Sequence, residues 1–165
     1  MRISRLLLTT TLLALLGSFS SSALAADGAI KISSTAQIEV EVIGKDGKKT
    51  LKRTLPDKAI PGTEVIYTNT FENVINKPAS NIVINNPIPN DSEYKAGSAF
   101  GKDCEILFSV DGGKKFGHAE ELKINDAEGK ERTALPREYT HIRWIYKGQL
   151  AAGKSGEVGF RAVIK

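Results

Sequence analysis

The sequence predicts an all-β fold, an immunoglobulin-like antiparallel β-sandwich of seven to nine strands. Apolar and polar residues alternate with a period of two in one segment after another. Gly, Pro, Asn and Asp separate these segments at short intervals, as in sandwiches. No stretch after residue 25 carries the sustained 3.6-residue apolar spacing and caps typical of a helix. Strands with one polar face indicate antiparallel sheets with one wet side.

The first 25 residues have the three parts of a secretory signal peptide. Arg2 and Arg5 make a basic start, residues 6–16 are uncharged and rich in leucine, and Ala23-Leu24-Ala25 fits a cleavage site. Eleven residues span about 16 Å as a helix, which is short of the roughly 30 Å hydrocarbon core of a membrane. We therefore predict cleavage after Ala25, a periplasmic or extracellular location, and no membrane span in residues 26–165.

Composition limits the function classes. The chain has 165 residues, 23 Lys+Arg and 19 Asp+Glu, and loss of Arg2 and Arg5 with the signal lowers its net charge from +4 to +2. That charge is too small to suggest nucleic-acid binding. Two His and one Cys argue against a zinc or iron–sulfur site, so we expect no cofactor and no metal. Residues 26–165 have the length of a single sandwich domain.

The strands are expected in a definite order. Residues 35–54 form a hairpin around Lys45-Asp46-Gly47-Lys48 that adds to or covers one sheet. The next strand places Val65, Tyr67, Asn69 and Phe71 on one face. Further strands are expected at residues 81–85, 93–98, 104–110, 120–124, 139–146 and 158–164. Trp144, the single tryptophan, is predicted to be a core residue on a central strand.

Five ordered segments resemble a known family: residues 61–67 (PGTEVIY), 81–89 (NIVINNPIP) with 94–98 (YKAGS), 108–116 (FSVDGGKKF), 140–144 (THIRW) and 150–160 (LAAGKSGEVGF). Together they resemble the bacterial "conserved repeat domain" of secreted and surface proteins, domain of unknown function eleven, over about residues 60–165. The resemblance implies an immunoglobulin-like sandwich and no enzyme, and it brings no catalytic or binding residues. The family usually has Asp where Asn86 stands, so no role of that carboxylate carries over.

Cys104 is the only cysteine and cannot form an intramolecular disulfide. The alternation places it beside Ile106, Phe108 and Val110, which predicts a buried, inert thiol. The alternative is an intermolecular disulfide or a reactive thiol.

Residues that could carry chemistry do not form a recognisable motif. The acids near turns, which are Asp103, Glu105, Asp111, Asp126 and Glu128, lack the spacing of a calcium loop. Ser109, Ser155, His118 and His141 lie outside any nucleophile elbow, and His141 is expected on the face opposite Ile142 and Trp144. Gly153-Lys154-Ser155-Gly156 lacks phosphate-loop spacing. No catalytic, cofactor-binding or metal residues are therefore predicted.

The sequence favours an exported, non-catalytic protein that acts through contact with an envelope or surface protein partner. A small carbohydrate- or cell-wall-binding module is the alternative, and it would need exposed aromatics, for which Tyr94, Phe100, Phe116 and Tyr139 are the candidates. An exported hydrolase or metal-binding protein is a weaker third hypothesis. The basic hairpin residues Lys45, Lys48, Lys49, Lys52 and Arg53 predict a solvated edge that resists aggregation, or else attraction to an anionic envelope surface.

Overall fold

The computed structural model describes the backbone of residues 22–24 and all of residues 29–56 and 60–165. Within these ranges the chain is built of antiparallel strands and contains a single 3-10 turn, Pro136–Glu138, as its only helical element. The strands, numbered along the chain, are β1 Ser22–Leu24, β2 Ile30–Ile43, β3 Lys49–Thr54, β4 Glu64–Asn73, β5 Val83–Pro87, β6 Ser92–Tyr94, β7 Phe100–Gly101, β8 Cys104–Ser109, β9 Lys123–Asn125, β10 Glu131–Thr133, β11 His141–Tyr146 and β12 Ser155–Ile164.

Two sheets pack face to face, which confirms the predicted all-β sandwich. The larger sheet has the order β3-β2-β4-β12-β6, and β7 also pairs with β12. The smaller sheet has the order β1-β5-β11-β8. A separate two-stranded ribbon, β9-β10, lies outside both sheets. The immunoglobulin-like topology that the family resemblance implies stays a prediction.

The core lies between the two sheets and is rich in aromatic rings. Trp144 on β11 has no exposed surface and lies 6.3 Å from Phe160 on β12, centroid to centroid. Phe71 on β4 meets Tyr146 on β11 at 5.7 Å. Both ring pairs join the larger sheet to the smaller one, so burial of these rings holds the two layers together. Trp144 is a core residue on a central strand, as predicted.

Most predicted strands are present, with shifted ends. The hairpin, the alternating strand that became β4, and the last strand agree with the alternation in the sequence. Pro87 is the last residue of β5 and pairs with His141, so the strand runs two residues beyond its predicted end. The strand predicted at residues 120–124 begins at Lys123, and β10 was not predicted. Short strands such as β7 and β10 bring the number in the described ranges above the predicted seven to nine.

The predicted signal peptide lies largely outside the described residues, and β1 is the one part of it with a described backbone. Ser22, Ala23 and Leu24 pair antiparallel with Asn85, Ile84 and Val83. Nothing in the described residues bears on the predicted cleavage after Ala25. In the described part of the chain, no helix is long and apolar enough to cross a membrane.

Candidate interaction surface

The hairpin of β2 and β3 projects from the larger sheet. Strand β2 pairs with β4 only as far as Gln37, which faces Ile66. From Ile38 to Ile43 it pairs with β3 alone, in six residue pairs that extend about 20 Å. We call residues 38–54 the arm. A two-stranded ribbon is at best marginally stable by itself, so the arm depends on contacts at its base.

Arg161 on β12 provides such a contact. Its Nη1 donates to Glu39 Oε2 at 2.9 Å and to Glu64 Oε1 at 2.7 Å, and its Nη2 lies 3.1 Å from Glu39 Oε1. Lys95 Nζ approaches Glu64 Oε2 at 2.5 Å, and Arg53 Nε approaches Glu39 Oε1 at 3.4 Å. Three cations and two carboxylates thereby join the arm to β4, β12 and the segment after β6. Charge-assisted, forked contacts of this kind fix geometry well.

The same contacts change the acidity of the two carboxyl groups. The hydrogen bonds from Arg161 hold the pKa of Glu39 below its ordinary 4.5. The hydrogen bonds from Lys95 and Arg161 hold the pKa of Glu64 below the same value. Both groups are therefore ionised at neutral pH, and the anchor is complete there.

The arm and the segment that follows it carry most of the exposed large hydrophobic side chains among the described residues. Eight large hydrophobic side chains are exposed in the described residues, and five of them fall between residues 42 and 60: Val42, Ile43, Leu51, Leu55 and Ile60. Ile43 and Leu51 are 70% and 68% exposed. They are diagonal neighbours on one face of the ribbon, because Ile43 pairs with Lys49 and Glu41 pairs with Leu51. Ile43 and Leu51 therefore form a small exposed apolar patch on one face of the ribbon, whereas Val42, which pairs with Thr50, lies on the other face.

Ion pairs within the arm offset much of its positive charge. Lys49 contacts Glu41 at 2.8 Å, Lys48 contacts Asp46 at 3.7 Å, and Arg53 contacts Glu39. Lys45 and Lys52 form no ion pair in the described part of the chain. The arm is therefore a mixed-charge edge, which fits the predicted role of resisting edge-to-edge aggregation better than that of a strongly basic patch.

The four aromatics named for a carbohydrate platform do not form one. Tyr94 and Tyr139 are buried and stack on each other with centroids 5.9 Å apart. Phe116 lies under Arg143, whose guanidinium carbon is 3.7 Å from the ring centroid. Phe100 alone is exposed, at 38%. Sugar-binding faces need exposed flat rings, and this set supplies one.

Cys104 packs against the core with Ile106, Phe108 and Val110, as the alternation predicted, but it is half-buried rather than buried. Burial, with a contribution from the charge of Asp103, raises the pKa of its thiol to about 11. The thiol is therefore protonated at neutral pH, which disfavours nucleophilic attack and disulfide exchange. Glu105, the next residue along the chain, forms an ion pair with Lys147, and its Oε1 lies 3.4 Å from His118 Nε2.

The structure brings Ser109, Asp111 and His141 to one turn, which sequence reasoning had treated separately. Ser109 Oγ donates to Asp111 Oδ1 at 2.8 Å and accepts from the Gly113 amide at 3.0 Å. Asp111 also accepts from the amides of residues 114 and 115, and the Lys115 amide is the main cause of its lowered pKa. His141 contacts Thr140 at 3.2 Å, and burial lowers its pKa. Because the Ser109 hydroxyl donates to the Asp111 carboxylate, and that carboxylate accepts from two amides, these contacts stabilise the turn after β8.

The other acids also serve turns. Asp126 Oδ1 accepts from the amides of Glu128 and Lys130 at 3.1 and 2.8 Å. Asp103 adopts a left-handed backbone with a φ of 58°. Across the described residues, no three His, Cys, Asp or Glu side chains are grouped so as to hold a metal ion. Ser155 is exposed at the first residue of β12, where it pairs with Glu72.

A chain of side-chain amides crosses the sandwich beside β5. Ser34 Oγ lies 2.6 Å from Asn69 Oδ1, Asn69 Nδ2 donates to Asn86 Oδ1 at 3.1 Å, and Asn86 Nδ2 donates to the Pro87 carbonyl at 2.9 Å. Asn69 and Asn86 are both 2% exposed. A cavity of about 140 Å³ lies along this chain. Asn86 both donates and accepts here, which a carboxylate in its place could not do.

The alternation predicted that Asn69 faces inward, but it could not predict that Asn69 bonds to Asn86 on the other sheet. Arg161 was also missed as an anchor. Its polar position between Phe160 and Ala162 marks it as outward-facing, whereas its contact with Glu39, 122 residues away, depends on strand order.

Comparisons with family models, curated proteins and solved structures found no match to this chain.

Arg161→Ala is expected to loosen the arm. It removes the shared donor of Glu39 and Glu64, so we expect faster trypsin cleavage at Lys45, Lys48 and Lys49 and a melting temperature lower by a few degrees at pH 7. The wild type loses the same contribution only as the pH falls from 4.5 through the lowered pKa values of its carboxyls, so the two melting curves should converge in acid. Arg137→Ala, at an exposed arginine, is the control. Unchanged cleavage in Arg161→Ala would contradict this account.

Asn86→Asp is expected to destabilise the sandwich by about 1–3 kcal/mol at pH 7, because a buried carboxylate replaces a donor. Part of the loss should be regained at pH 5, where a carboxyl with a raised pKa becomes protonated and can donate. Urea unfolding at both pH values measures this. Asn85→Asp is the matched control, since Asn85 Oδ1 accepts from Arg143 Nε at 2.7 Å and a carboxylate suits that donor. Equal losses in the two variants would count against the proposed role of Asn86.

Proposed function

We propose that this chain is an exported, non-catalytic interaction module of the bacterial cell envelope or surface, and that the arm is its contact with a partner protein. The observation that carries the proposal is the concentration of exposed apolar side chains on and just after a ribbon that projects beyond its sheet. The signal-like start of the sequence and its resemblance to the conserved repeat domain support export and a surface role.

The energetics are sufficient for such a contact. Full burial of an Ile or Leu side chain contributes about 1.5–3 kcal/mol. Each 1.4 kcal/mol corresponds to a factor of about ten in affinity. Ile43 and Leu51 together could therefore determine whether a partner is retained. The ion pairs around them would form a polar rim, as at protein interfaces.

The carbohydrate-binding alternative has less support. Two of its four candidate rings are buried in the core, and a third is covered by Arg143. The hydrolase alternative would need a nucleophile bonded to a base. Ser109 is fully buried, and it donates to Asp111, whose pKa is lowered by the hydrogen bond from the Lys115 amide, which makes that carboxylate a weak base.

The test uses the chain exported from a bacterial host, immobilised and exposed to a native envelope fraction. We expect saturable retention of one protein partner, identified by mass spectrometry, and at least tenfold less retention by the double variant Ile43→Ser/Leu51→Ser. Val74→Ser/Leu135→Ser, which alters exposed apolar residues elsewhere, is the matched control and should behave like the wild type. A Cys104→Ser copy excludes capture through a disulfide.

Two results would overturn the proposal. Equal retention by the arm variant and the wild type would remove the arm as the contact. Retention on isolated peptidoglycan or glycan, with no protein partner, would instead favour a wall-binding module.

A further inference from the structure

The outer edge of β5 differs from the edges at β3 and β8. Strand β3 carries Lys49, Lys52 and Arg53, charges that disfavour pairing with a further strand. Phe108 on β8 exchanges two backbone hydrogen bonds with Gly117, at 2.9 and 3.0 Å, which covers that edge. Strand β5 has no charged residue, and in the described part of the chain β1 alone pairs with its outer side.

The backbone of β5 defines a short window on this edge. The carbonyl of Ile82 accepts from Tyr146 and the amide of Ile88 donates to Thr140, so the even-numbered residues direct their amides and carbonyls toward β11. Groups alternate along a strand, so those of Val83 and Asn85 point to the outer edge. These two residues face Leu24 and Ser22 of β1.

Both ends of the window are closed. Pro87 has no amide hydrogen, and its carbonyl already accepts from Asn86 Nδ2 at 2.9 Å. At the other end Asn81 has a left-handed backbone with a φ of 58°, which interrupts the extended strand. Two complete donor–acceptor pairs remain, at Val83 and Asn85, and a three-residue strand such as β1 fills them.

We propose that this edge is a strand acceptor, which residues 22–24 occupy in the precursor and from which signal cleavage removes them. In the processed chain the edge then binds an extended, uncharged segment of a partner protein in the same antiparallel register. Pairing with an edge strand is a known mode of peptide recognition, in which backbone hydrogen bonds provide the affinity.

The proposal rests on export and cleavage but not on the arm. The seated β1 gives the direction, register and length of the occupant. The absence of charge from both Ser22–Leu24 and Val83–Pro87 argues for an uncharged one. An arm variant that loses its protein partner should therefore still bind a peptide at β5, which keeps failures of the two proposals distinguishable.

The first measurement is the mass of the exported chain, which gives its N-terminus. We expect it to begin at Ala26. The probe is then a fluorescent peptide of residues 17–25 (GSFSSSALA), titrated against the exported chain by anisotropy, with amide NMR shifts to locate binding. We expect saturable binding with shifts centred on Val83 and Asn85.

Backbone methylation tests the register. The amides of Ser22 and Leu24 face β5, whereas that of Ala23 faces away. A peptide N-methylated at both Ser22 and Leu24 should bind at least tenfold more weakly than the parent. The peptide N-methylated at Ala23 is the matched control and should stay within about threefold of the parent. A chain that begins at Gly17 should also bind the peptide at least tenfold more weakly, because its own strand fills the edge.

The proposal is overturned if the exported chain retains residues 22–24, if the parent peptide does not bind, or if all three peptides bind equally. Concentration-dependent dimerisation through Val83 and Asn85, seen by ultracentrifugation and NMR, would make a second copy the occupant and overturn the choice of a partner segment.

Discussion

The length mismatch between β2 and its neighbour β4 is the constraint on which the candidate contact surface depends. Strand β2 has 14 residues, and its pairing with β4 ends at Gln37. The remaining residues, 38–43, pair with β3 alone, which the chain forms by turning at residues 44–48 and running back along β2. The projecting arm, its exposed apolar tip and its need for an anchor all follow from this offset.

The interior between the two sheets provides the hydrophobic burial that the arm lacks. Rings from both sheets meet around Trp144 and Phe160, and their burial holds β12 of the larger sheet against β11 of the smaller one. The order β2-β4-β12 in the larger sheet places Arg161 near both Glu39, at the base of the arm, and Glu64, at the start of β4. One guanidinium therefore binds both carboxylates. Beside β5 the interior becomes polar, because the hydrogen bond between the Asn69 and Asn86 side chains joins the two sheets there. In the smaller sheet, the short strand β1 is the one described strand on the outer side of β5.

Local alternation predicted much of the fold. The inward positions of Val65, Tyr67, Asn69 and Phe71, and the core position of Trp144, follow from a period of two alone. The turn at Asp111-Gly112-Gly113 follows from glycines, whose φ values of 76° and 81° suit few other residues. Strand β10 was missed because Glu131-Arg132-Thr133 has no apolar alternation, and its partner β9 is equally short.

The contacts that define the two proposed surfaces could not be read from the sequence. The pairing of Arg161 with Glu39 depends on which strands become neighbours. The window on β5 depends on the direction of alternate amides, which only the pairing with β11 establishes. The strand β1 lies in a segment that the sequence marks as an export signal, so no strand was expected there.

Native-state hydrogen exchange of residues 26–165, followed by NMR, tests the central claim most directly. If the arm is a ribbon held only at its base, amides in residues 40–43 and 49–52 should exchange at least about a hundredfold faster than those of the β2–β4 ladder, because local opening costs less than global unfolding. Equal protection in the arm and the ladder would show that the arm is part of the cooperative core, and would contradict its description as a projecting contact surface.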